Sequence, residues 1–166
     1  MVEEFFTTDD LVEYMTLLLK VSLARPEICK DYKNSSLSES CFATLNLLDL
    51  HHSDKFYNYI GKLKENVELC TECKLEYYYL HMVDYSNGGV MTPHKHDHNE
   101  DFSFILYLND CNDGHTILKL SEPCRVKPDK GKVLLFSSDI IHQSEYSRSK
   151  RVLVGGLKRM QEQHGH

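Results

Sequence analysis

The chain has 166 residues, 41% hydrophobic and 27% charged, which is the mix of one ordinary globular domain able to bury a core without disulfide staples. Lys and Arg number 19 against 25 Asp and Glu, a net charge of -6, which argues against broad binding to nucleic acid or anionic membranes, where basic side chains must neutralise phosphates. No apolar run approaches the roughly 18 residues of a membrane span, and the acidic opening Met1-Val2-Glu3-Glu4 is unlike a secretory signal. The expectation is a soluble, cytoplasmic protein with no nucleic-acid and no membrane partner.

Residues 8 to 24 read as a helix, with Thr8 as N-cap, Asp9 and Asp10 in the first turn, and Leu11, Tyr14, Met15, Leu18 and Ser22 on one face. Pro26 ends it. The stretch from Phe42 to Leu50 is ambiguous between a short strand and a helix. Ser53 caps a second helix reaching about Lys64, with Phe56, Ile60 and Leu63 facing inward. From about residue 74 the texture turns to β: Leu75 to Tyr85, Phe102 to Leu108, Thr116 to Leu120, Val133 to Phe136 and Arg151 to Leu157 are short strands separated by turn signals such as Ser86-Asn87-Gly88-Gly89. Their regular spacing predicts an antiparallel sandwich or barrel. The expected domain spans 1–166, helical support over about 1–70 packing on a β core over about 71–160.

Six cysteines (Cys29, Cys41, Cys70, Cys73, Cys111 and Cys124) read as reduced thiols in this setting. Cys70-Thr71-Glu72-Cys73 has the spacing of half a zinc knuckle, but no second pair completes it. The ten histidines are more informative. Three of them fall in Pro93-His94-Lys95-His96-Asp97-His98-Asn99-Glu100, and His142 follows the apolar strand 133–136. Alternate residues of a strand share a face, so His94 and His96 can aim two imidazoles at one point, with His142 arriving from a distant strand as a third ligand. Such a donor set suits Fe(II), Zn, Mn or Ni.

With these pieces in place the sequence resembles the 2-oxoglutarate- and Fe(II)-dependent oxygenases, in particular the prolyl-hydroxylase-like branch. The matching stretch runs from about Tyr77 to Leu157 and carries five pieces in the family's order. These are Tyr85 to His94 with its glycine turn, Phe102 to Asp110 with Tyr-Leu-Asn, Gly114-His115-Thr116, Val126 to Phe136 with its Pro-x-x-Gly turn, and His142 followed nine residues later by Arg151. The resemblance implies an α+β, mainly β fold: a double-stranded β-helix (jelly roll, cupin-like) with N-terminal helices packed on one sheet. It implies a dioxygenase that takes Fe(II), 2-oxoglutarate and O2, with ascorbate as an optional reductant, and a small-molecule or peptide substrate such as a prolyl or other amino-acid residue. Metal ligation falls to His94, His96 and His142, and 2-oxoglutarate binding to Arg151, Tyr107 and Tyr85.

One departure matters. The family has His-x-Asp or His-x-Glu, and the second position here is His96. Three readings stay open: a three-His site, an acidic ligand from Asp97 on a bulged strand, or a shifted His98-Asn99-Glu100. Two other functions compete with the oxygenase: a cupin-like three-His dioxygenase that uses no 2-oxoglutarate, and a metal-binding module without turnover. Only the oxygenase needs a buried Arg151 near the metal. Substrate loops are expected at 86–101 and 110–115.

Overall fold

The computed structural model describes residues 1–25, 36–96 and 99–161. Pro26, Cys29, Asp97, His98, His164 and His166 lie outside the described residues. Helix α1 spans Asp9–Ala24 and buries Leu11, Val12, Met15, Leu19 and Ser22. The inward stripe therefore runs through Val12 and Leu19 rather than Tyr14 and Leu18, which are only partly covered. Thr8 occupies the N-cap position without a side-chain cap bond. The ambiguous stretch resolves into both elements: strand β2 is Phe42–Ala43, and a one-turn helix, α2, is Leu47–Leu50, capped by the Asn46 side chain, which accepts from Leu48 N–H. Helix α3, Asp54–Thr71, begins where Ser53 accepts from Phe56 N–H and outruns the expected end at Lys64 by two turns, because Val67 continues the buried stripe of Phe56, Ile60 and Leu63. No helix among the described residues is long and apolar enough to cross a membrane.

The remaining strands are β1 (Val2–Phe6), β3 (Leu75–Asp84), β4 (Gly89–His94), β5 (Phe102–Tyr107), β6 (Thr116–Leu118), β7 (Cys124–Val126), β8 (Lys132–Ser137), β9 (His142–Ser147) and β10 (Arg151–Arg159). They form a six-stranded sheet in the order β1-β8-β5-β10-β3-β2 and a four-stranded sheet in the order β4-β9-β6-β7, every pairing antiparallel. This is the expected double-stranded β-helix, with the helices covering the outer face of the larger sheet.

Period-two alternation sorts the larger sheet's side chains between two cores. Leu80, Met82, Phe104, Leu106, Leu153 and Leu157 point to the helices. Val83, Tyr85, Tyr107, Leu134, Phe136 and Val152 point to the smaller sheet. Both faces of β5, β8 and β10 are thus buried, and their sequences read as near-continuous apolar runs. Gly155 and Gly156 in the middle of β10 are demanded by close approach: a methyl at 155 would overlap the Phe104 ring, and one at 156 would overlap the Glu100 carboxylate and the Tyr79 ring. Gly155→Ala should cost about 1–3 kcal/mol, the usual penalty for overfilling a packed interior. Chemical denaturation of the variant checks this, and a midpoint equal to that of the parent chain would show that Phe104 yields freely.

Candidate metal centre and cosubstrate cavity

The two sheets hold a cleft between them, walled by apolar residues and by a few polar ones that gather at two places. The first place is the three histidines. β4 and β9 pair with His94 opposite His142, and His96 follows just beyond the end of β4. Their ligand nitrogens lie within 4.8 Å of one another. His96 Nε2 is 3.2 Å from His142 Nε2, close to the separation of about 3 Å expected of neighbouring ligands on an ion bound at about 2.1 Å.

The other ring nitrogens are committed elsewhere. His94 Nδ1 donates to the Thr92 carbonyl at 2.9 Å, His142 Nδ1 to the Ile140 carbonyl at 3.0 Å, and His96 Nδ1 to Glu100 Oε1 at 2.9 Å. Each of these bonds fixes the Nδ1–H tautomer and turns the Nε2 lone pair toward the shared point, which is how metal-binding histidines are held. Burial, reinforced by His94, pushes His142 down to about 3. Burial also lowers His94. Neutral imidazoles are the form that ligates, so the donor set fits a divalent ion such as Fe(II).

The second polar place is the inner wall at Lys150. Its side chain is buried, 2% exposed, and faces into the cleft. Lys150 Nζ donates to the Gly114 carbonyl at 2.8 Å and to Ser144 Oγ, and lies 4.4 Å from the centre of the Tyr85 ring. No carboxylate of the described residues lies within ion-pair distance of it. Burial pulls its ammonium down to about 8. A buried cation without an anion, facing a cavity, fits the far carboxylate of a dicarboxylate such as 2-oxoglutarate.

The sequence-predicted residues divide accordingly. His94, His96, His142 and Tyr85 come together on the cleft. Tyr107 is fully buried behind it and reaches the cleft only through Thr116, to whose Oγ1 its hydroxyl is bonded at 2.5 Å. Burial raises both tyrosines, so both remain phenols.

Arg151 lies apart from them. It sits in β10 opposite Asp84, with Nε 3.5 Å from Asp84 Oδ2 and a side chain 40% exposed, and it is absent from the cleft wall. The reason is strand phase: Lys150, Val152 and Val154 line the cleft, so the intervening Arg151 and Leu153 leave by the other face.

Glu100, weighed as a shifted ligand, bonds to the Nδ1 side of His96 rather than to the point where the three Nε2 atoms meet. Tyr79, Ser103, Thr116, Ser144 and Lys150 are cleft residues the sequence reading did not single out. Cys41, Cys70, Cys73, Cys111 and Cys124 carry free thiols.

No protein-family model matches the chain, and no curated protein matches it by sequence. Solved structures do match. A prolyl-4-hydroxylase of Pseudomonas putida superposes with a TM-score of 0.72 at 18% identity, over 96% of this chain and 93% of that one. A viral collagen prolyl hydroxylase of Paramecium bursaria Chlorella virus-1, solved as a 2-oxoglutarate complex, gives 0.67 at 14% identity, over 96% of both chains. A prolyl hydroxylase of Trichoplax adhaerens, solved with a hypoxia-inducible-factor peptide, gives 0.67 at 12% identity, over 93% of this chain and 82% of that one. The chain therefore has the double-stranded β-helix fold of the 2-oxoglutarate/Fe(II) oxygenases, in the form seen in prolyl hydroxylases.

Proposed function

We propose that this protein is an Fe(II)- and 2-oxoglutarate-dependent dioxygenase that hydroxylates an organic substrate, with a prolyl or other amino-acid residue as the substrate class. The observation that carries the reading is the placement of a buried, unpaired Lys150 in the same cleft as three imidazoles whose lone pairs converge. His94, His96 and His142 would hold the metal and, as only three protein ligands, leave room for a chelating cosubstrate and for O2. When bound, Fe(II) with 2-oxoglutarate supplies an oxidant: one oxygen atom of O2 goes into a substrate C–H bond, the other into succinate, and CO2 is released.

The protein's own groups do the positioning. Lys150 would pair with the distal carboxylate, kept in place by Ser144, the Gly114 carbonyl and the Tyr85 face. The apolar walls of Val83, Ile105, Phe136, Val152 and Val154 keep water away from the reacting end. Substrate would enter from the histidine end of the cleft, where the His96 side chain is 19% exposed, rather than from the Lys150 end, which is buried. The Trichoplax neighbour's bound peptide supports a peptidyl substrate.

Adding 2-oxoglutarate to the Fe(II)-loaded chain without O2 should give a weak visible charge-transfer band, and admitting O2 should yield succinate. Absence of both would overturn the proposal. The missing carboxylate ligand among the described residues favours a second reading, a three-His dioxygenase that needs no 2-oxoglutarate. It leaves the buried Lys150 without a task, and it would show as substrate oxidation independent of 2-oxoglutarate.

A further inference from the structure

Three imidazoles bring no negative charge to a divalent cation, yet a carboxylate stands directly behind one of them. The Glu100 side chain is only 2% exposed. Its Oε1 accepts from His96 Nδ1 at 2.9 Å. Its Oε2 accepts from Ser103 Oγ at 3.1 Å, Ser138 Oγ at 3.3 Å and Tyr79 OH at 3.4 Å. Tyr79 also places its hydroxyl 3.1 Å from His96 Nδ1 and stacks its ring on the imidazole, 5.9 Å between centres and 25° between planes.

The space for this carboxylate is made by Gly156, where any side chain would displace Oε2. Among the described residues no Lys or Arg lies within ion-pair distance of Glu100, whose ion-pair contact is His96. Burying a carboxylate costs several kcal/mol unless it is paired and hydrogen-bonded, so four donors and a dedicated glycine mark a built feature.

We propose that Glu100 is the positioning carboxylate of this centre. It holds His96 with Nδ1–H toward itself and Nε2 toward His94 and His142, and it supplies from one imidazole away the negative charge that an acidic ligand would supply directly. The His-x-Asp or His-x-Glu departure at His96 is thus compensated by moving the carboxylate outward. The inference rests on His94, His96 and His142 being metal ligands.

Co(II) is the probe, because its visible bands report the ligand field without any turnover. In titrations of the metal-free chain, Glu100→Gln should lower Co(II) affinity by about 10- to 100-fold, the usual loss on removing the partner of a ligating histidine, and should shift the Co(II) bands while thermal unfolding of the metal-free protein is little changed. Glu100→Asp, which keeps the charge but draws it away from Nδ1, should lie between Glu100→Gln and the parent chain. In a His96→Asp background residue 96 carries the charge itself and faces Glu100 as a like charge, so Glu100→Gln should there cost nothing or tighten binding.

Glu100→Gln within twofold of the parent chain would overturn the proposal, as would an equal loss in both backgrounds, since a merely structural Glu100 would be blind to residue 96. Those results leave the metal site standing if His142→Ala still abolishes Co(II) binding. Failure of the parent chain to bind Co(II) at all overturns the three-His reading, and this proposal with it.

Discussion

Replacing Lys150 with methionine should weaken 2-oxoglutarate binding by about 100- to 1,000-fold, the consequence of deleting one partner of a buried charge pair worth about 3–4 kcal/mol. Among the described residues the buried ammonium has a carbonyl, a hydroxyl and a ring for company and no ion-pair partner, so a bound carboxylate would supply the counter-charge. Arg151→Met should change the same affinity by less than about threefold, because that side chain leaves on the opposite face toward Asp84. Calorimetric titration of 2-oxoglutarate into the Ni(II)-loaded variants separates the two, and equal losses would return Arg151 to the site.

The same substitution has a pH signature. Burial holds Lys150 at about 8 in the folded chain against 10.5 in an open one, so between those values the unfolded state binds the extra proton and stability rises with pH. Relative to Lys150→Met, the parent chain should therefore gain up to about 3 kcal/mol as pH climbs through that window. Below pH 8 both states are protonated, and the full burial penalty stands. The comparison with the variant removes the opposing contribution of the buried tyrosines and cysteines, whose acid forms the fold favours.

His142→Ala should reduce metal affinity by more than about 100-fold, since even the loss of a partner behind a ligating histidine costs about 10- to 100-fold. His142 is the most buried of the three, 4% exposed, and enters from a different strand, so no neighbouring side chain of β9 replaces it. The measurement is the metal-induced rise in unfolding temperature. At 1,000 times the dissociation constant the parent chain should gain about 4 kcal/mol, and the variant at most about 1.4 kcal/mol at the same concentration. An undiminished rise would move the ion to other donors. Succinate formation should disappear in parallel.

Much of this was legible in the sequence, and the failures have physical causes. The histidine triad could be read because period two puts His94 and His96 on one side and His142 follows the apolar strand 133–136. The face taken by Arg151 could not be read because β10 is buried on both faces: Val152 and Leu153 are equally apolar, so the sequence carries no alternation from which the strand's phase can be taken. A one-residue slip in such a strand exchanges every side chain between faces. Strand β9, His-Gln-Ser-Glu-Tyr-Ser, was missed because its residues answer to the site and to solvent rather than to a core. Strand β1, Val-Glu-Glu-Phe-Phe, was missed because an edge strand pairing only with β8 needs little apolar character. The contact of Glu100 was hidden because contiguity suggested ligation, whereas its carboxylate meets the Nδ1 side of His96.

The cross-strand placement of His94 and His142 has a mechanical consequence. β4 is the outermost strand of the smaller sheet, and its ladder to β9 is broken twice by register shifts, between Gly89 and Met91 and again between Met91 and His94. An ion gripping both histidines would act as a rivet at the end of that irregular ladder, adding two coordinate bonds to the pairing of His94 with His142. Metal loading would then do more than equip the cleft for chemistry: it would stiffen the junction of β4 and β9, adding to the backbone bonds that tie β4 to residues 36–38 on its other side.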